Sequence, residues 1–177
     1  MNQMFTVVGA LVLLGIASLG INAMLASKTT TMLQAEASLN AISIGQTMID
    51  EIMTKSYDAA TANGTKVFNA ANFTNSASLG CSASEAFMVS QPDAANPFKS
   101  IQYYNDVDDY NNYRRKVSTP LLGTFTVVDT VSYASEADPN QVSGAQTFYK
   151  KILVTVRHNN MSYPLRLSDV VVYRKYF

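Results

Sequence analysis

The chain is predicted to be an α+β protein shaped like a lollipop: a long N-terminal helix whose distal half packs on a small antiparallel sheet and whose apolar half projects. Three observations carry this. Residues 1–27 contain no charged side chain, residues 27–56 contain no proline and one glycine, and the last third of the chain alternates apolar and polar residues. The expected organisation is a hydrophobic, membrane-competent helix over 1–27, its amphipathic continuation over 28–56, and a β-rich head over 57–177.

The apolar run Met4 to Ala26 is interrupted mainly by Thr6, Ser18 and Asn22. As a helix it is about 35 Å long, enough to cross a hydrocarbon core of about 30 Å. The first basic residue, Lys28, follows the run rather than preceding it, unlike a cleaved secretory signal, so the segment is expected to be retained. Small residues including Gly9, Gly15 and Gly20 punctuate it and allow close helix approach in an apolar medium. Phe5, Val8, Leu11, Leu13, Ile16, Leu19 and Met24, with those three glycines, are the expected helix-packing residues of this segment.

Beyond Ser27 the helix is expected to continue, loosened by the polar patch Ser27, Thr29, Thr30 and Thr31. An apolar stripe through Met32, Ala35, Leu39, Ile42, Ile49, Ile52 and Met53 has helical spacing. Leu39, Ile42, Ile49, Ile52 and Met53 are accordingly expected to cover the sheet. Read as one piece, residues 2–56 span about 80 Å, far more than a head of this size needs for its core. The front half must therefore pack on something outside its own chain.

After Tyr57, residues 58–84 are rich in Ser, Thr, Ala and Asn, which reads as an irregular connection. Residues 122–133, 148–158 and 164–176 alternate as three antiparallel strands, with a long loop over 134–145 and a short connector over 158–162.

Composition narrows the function. Thirteen Lys and Arg balance thirteen Asp and Glu, so no nucleic-acid partner is expected from net charge. One cysteine, Cys81, and one histidine, His158, exclude Cys-based zinc sites and His-rich clusters, and no catalytic constellation is present. No cofactor is expected apart from calcium. Asp106, Asp108 and Asp109 offer the hard oxygen ligands of which calcium takes about six to eight, although their spacing is not that of an EF-hand. A solvated acidic turn, or pairing with Arg114, Arg115 or Lys116 of a neighbouring copy, are the other readings of the same residues.

Particular residues also resemble a known family. Phe5-Thr6-Val7-Val8 before a long apolar run is similar to the opening of mature type IV pilins and pseudopilins. The segment from Ala41 to Ile52 resembles the helix end of minor prepilins. Asp106 to Asn111 and Lys150 to Arg157 resemble the Asp-rich loop and penultimate strand of minor pilins of the mannose-sensitive haemagglutinin type. Met4 stands where family members carry a leader Gly, and Gly9 where they carry a Glu. The resemblance implies a structural subunit of a bacterial extracellular filament, with residues 1–27 as its filament-core helix and the ten packing residues from Phe5 to Met24 as its filament-core residues. Its partners would be copies of itself, the inner membrane before assembly, and the pilus assembly machinery. A monomeric membrane-anchored binding or adhesion protein is the alternative from the residues alone.

Overall fold

The computed structural model describes residues 2–174. Helix α1 (Asn2–Met53) is one unbroken element. The expected loosening at the threonine patch does not occur. The Thr29, Thr30 and Thr31 hydroxyls each donate to the carbonyl four residues back at 3.0 Å, which satisfies them inside the helix. The helix ends at Met53, three residues before the expected boundary. There Thr54 and Lys55 N–H groups bond Glu51 and Ile52 carbonyls, and Lys55 Nζ reaches the Ile101 and Tyr104 carbonyls at 2.8 Å.

Residues 58–82 form an irregular connection with three single-turn 3₁₀ segments. Asp58, Asn69 and Asn75 cap them, each side chain accepting the backbone N–H two residues on. Helix α2 (Ala83–Met88) starts at a Ser82/Glu85 capping box, and α3 (Lys99–Tyr103) and a 3₁₀ turn over Asp108–Tyr110 follow.

The sheet is an antiparallel meander of β1 (Arg114–Thr119), β2 (Gly123–Tyr133), β3 (Tyr149–Arg157) and β4 (Leu165–Val172). It has four strands, not the expected three. In β1 the inward positions are Arg115 and Val117, so Arg-Arg-Lys-Val-Ser-Thr carries too little apolar alternation to read as a strand. Of the expected strand over 164–176, residues 165–172 are strand, and 175–176 lie outside the described residues.

The distal half of α1 packs across β3 and β4. Its contact face is Ala37, Ala41, Gly45, Met48, Ile49 and Ile52, set against Ile152, Val154, Val156 and the partly buried Leu165 and Leu167. A Cβ added at Gly45 would fall 2.7 Å from Leu167 Cδ1, so glycine permits this close approach. The expectation for this face needs correction. Ile49 and Ile52 are buried, but Leu39, Ile42 and Met53 are exposed, Leu39 by 69%. At about 100° per residue they lie roughly 90° to 150° around the helix from the centre of the Ala37–Ile52 face, Leu39 the furthest. The contact face is small at Ala37, Ala41 and Gly45 and large at Met48, Ile49 and Ile52, while Leu39, Ile42 and Met53 point outward.

The β1–β2 side of the core is covered by Val107, Tyr104, Tyr110 and Tyr113, whose rings pack edge to face with centroids 5.0–5.5 Å apart. Tyr57, Val67, Phe73 and Tyr133 form a second cluster beneath the connection.

Candidate functional surface

The apolar half of α1 has no cover from the other described residues. Every described side chain from residue 3 to 35 is exposed, including Phe5, Val8, Leu11, Leu13, Ile16, Leu19 and Met24. Gly9, Gly15 and Gly20 have nothing within 4 Å of where a Cβ would stand. The segment is long and apolar enough to cross a membrane, and none of its most apolar window is buried. All ten expected filament-core residues thus lie on one projecting rod. Beyond the exposed polar patch at 27–31, Met32, Leu39, Ile42 and Met53 put further apolar side chains on the outer side of the helix beside the head. Burial of each large aliphatic side chain is worth about 1.5–3 kcal/mol, a strong drive toward lipid or another apolar surface.

The three aspartates expected as hard oxygen ligands do come together, but each is engaged within the chain. Asp106 Oδ1 accepts the N–H groups of Asp108 and Asp109 at 2.9 and 3.3 Å. Asp109 Oδ2 accepts those of Asn105 and Asp106 at 2.8 and 3.2 Å. Asp108 Oδ1 meets Lys150 Nζ at 2.6 Å, and the same ammonium binds Asp58 Oδ2 at 3.0 Å and the Tyr57 carbonyl at 2.7 Å. Among the described residues no group of three His, Cys, Asp or Glu converges as a metal site requires. Nor is this the solvated acidic turn that the residues also suggested, since all three aspartates are buried.

Electrostatics follow from that enclosure. Burial and the hydrogen-bonded Asp108 push Asp106 up to about 9, so it is protonated at neutral pH. Burial raises Asp109 to about 6 against two backbone N–H bonds that pull it down. Burial also opposes ionisation of Asp58. The Lys150 ammonium and the N–H groups of Thr74 and Ala60 outweigh it and hold Asp58 below the usual carboxylate range.

A second polar cluster joins the end of α1 to β1. Arg115 Nη2 contacts Glu51 Oε1 at 2.6 Å and Ser100 Oγ at 2.7 Å, and its guanidinium lies 4.0 Å over the Phe98 ring. Tyr110 and Ser100 hydroxyls donate to the same Glu51 oxygen, while the Tyr113 hydroxyl donates to Asp93. Arg115 is therefore spent inside its own head rather than on a neighbouring copy. Asp129 stands nearby on the inward face of β2, fully buried, with no hydrogen-bond partner on either oxygen among the described residues. Burial raises it well above the ordinary carboxylate range.

Alternation alone does not flag Lys150, Asp129 or Arg115, because each is a charge at an inward strand position. Cys81 is a half-buried free thiol. His158 stacks on Phe125 at 4.3 Å, its Nε2 2.8 Å from the Leu122 carbonyl oxygen and its Nδ1 accepting the Asn160 N–H. Both ring nitrogens are occupied in closing the β3–β4 end. Comparison with protein-family models, with curated proteins and with solved structures gives no match.

Proposed function

We propose that the chain is the structural subunit of a bacterial extracellular pilus-like filament that polymerises by bundling its N-terminal helices. One observation carries the reading: a rod of exposed apolar residues is followed, beyond the polar patch at 27–31, by a second set of exposed apolar residues on the outer flank of the head. A membrane tether needs the first but not the second. In this reading subunits wait in the inner membrane through residues 4–26 and are transferred by an assembly machinery into a polymer. The same side chains then meet those of neighbouring copies. Copies related by a translation and a rotation that does not close give an open helix rather than a ring. The resemblance of Phe5 to Val8 and of the helix end to type IV pilins supports the same class. With Gly9 in place of the glutamate, helix register comes from shape and small-residue packing.

The direct test is to shear cells, pellet the released material without detergent, and examine it by electron microscopy with mass spectrometry of the chain. Filaments composed of this chain are expected. Recovery only from detergent-extracted membranes would favour a monomeric anchored binding protein. Leu13→Asp places a charge in the bundle and is expected to abolish polymer while leaving the head folded.

A further inference from the structure

The two faces of the sheet differ sharply in charge. Inward positions pack under α1 and the tyrosine cluster, and alternate positions point away from the core. On that outward face β1 presents Arg114 and Lys116, β3 presents Lys151 and Arg157, and β4 presents Arg166. No outward strand position is Asp or Glu. Asp169 pairs with buried Ile152 and so belongs to the opposite face. Five of the thirteen cations of an electrically neutral chain thus share one solvent face.

Strand register makes four of them a compact group. Lys116 lies opposite Thr126, which lies opposite Arg157. In the next outward row Arg114, Val128, Thr155 and Arg166 run side by side across all four strands. Strand spacing of about 4.8 Å and a rise of about 3.3 Å per residue place the four backbone positions within a field of about 14 by 7 Å. Arg114, Lys116, Arg157 and Arg166 are exposed and make no ion pair among the described residues. No described carboxylate pairs with them, and four like charges so placed attract an anion carrying several charges.

The groups between the cations indicate what kind of anion. The rows hold Thr126, Thr155 and Val128 and no aromatic ring, so they offer hydroxyls to a polar polymer but no platform for stacking bases. Where Arg157 ends β3, the face opens into a shallow cleft of about 310 Å³ lined by Thr124, Thr126, Arg157, Asn159, Ser162 and Tyr163. The Tyr163 ring is 83% exposed at its rim and presents an apolar face of the kind that packs on a sugar.

We propose that this sheet face, centred on Arg114, Lys116, Arg157 and Arg166, binds an anionic polysaccharide, a polymer of repeating carboxylate or sulfate groups. The assignment rests on the reading of the head as extracellular, where such polymers are met. Tested on the full chain in non-ionic detergent, it should be retained on immobilised dextran sulfate and polygalacturonate but not on neutral dextran, with affinity falling as salt rises. Removing two cations in Lys116→Ala/Arg157→Ala should lower the affinity about tenfold at physiological salt. Lys66→Ala/Lys99→Ala, elsewhere on the head, should bind unchanged. Retention on neutral dextran, unaltered binding by the first pair, or tighter binding to duplex DNA than to either polysaccharide would overturn the proposal. So would loss of filaments together with binding in the first pair, which would assign the face to contacts between copies. Protease accessibility of the head on intact cells is scored separately, so that failure of the extracellular reading is not mistaken for failure of the binding face.

Discussion

Lys150 Nζ and Asp108 Oδ1 meet at 2.6 Å with both side chains almost wholly shielded from solvent, and the same ammonium reaches Asp58 at 3.0 Å. The pair ties β3 to the 3₁₀ turn over Asp108–Tyr110 and to the start of the connection after α1. Lys150→Met would strand two buried carboxylates without their cation and is expected to destabilise the head by about 3–5 kcal/mol. Chemical denaturation of the purified chain measures this. Adding Asp58→Asn and Asp108→Asn to the variant should restore part of the loss.

Asp129 is expected to behave in the opposite way. Its carboxyl is buried between Val127 and Val131 positions on the inward face of β2 and bonds to nothing among the described residues. Asp129→Val should raise stability by about 1–3 kcal/mol at pH 7. The gain should shrink at pH 4, where the unfolded chain also holds the proton. A destabilised Asp129→Val at pH 7 would show that the carboxyl has a role in the fold.

The pH dependence of the head has a definite sign. Asp106 keeps its proton to about pH 9 in the folded chain and releases it near pH 4 when unfolded. Over that interval the native state binds more protons, so stability falls as pH rises and levels off above 9. Asp58, held low, acts the other way: its contribution is complete above about pH 4 and is lost on further acidification. Thermal unfolding from pH 5 to pH 9 should show the decline, and Asp106→Asn should flatten it. Asp109, up to about pH 6, and Asp129 add to the same limb, so the contribution of Asp106 is read from the difference between the two curves above pH 6.

The two faces of distal α1 can be separated by substitution. Leu39→Asn changes an exposed residue and should alter head stability by less than about 0.5 kcal/mol. Ala41→Leu overfills the contact with the sheet and should cost about 1–3 kcal/mol. If the outward stripe meets other copies, Leu39→Asn should nevertheless weaken filaments, read by the amount of sheared, pelleted material.

Much of the fold was legible in the sequence where side-chain chemistry and position agree. The uncharged run after Met4 announces the projecting helix, and Val127, Val131, Ile152, Val154 and Val156 announce β2 and β3 by simple alternation. Legibility fails where an inward position is small or charged. Ala37, Ala41 and Gly45 make the first half of the helix-to-sheet contact, yet they carry too little apolar area to compete with Leu39 and Ile42 in a search for stripes. Arg115, Asp129 and Lys150 face the core of their strands and read as solvent positions until tertiary partners are known. The cationic sheet face was hidden for another reason. A net charge of zero averages over it, and only strand register brings Arg114 into line with Arg166.

Because α1 passes from its bare apolar half into the sheet contact without a break, the compass bearing of the head is geared to that of the rod. Each residue added or removed between 28 and 35 turns the head by about 100° and shifts it about 1.5 Å along the axis, whereas seven added residues return it nearly to phase about 10 Å further out. Whatever surface the rod is keyed into therefore dictates the direction in which the cationic face looks.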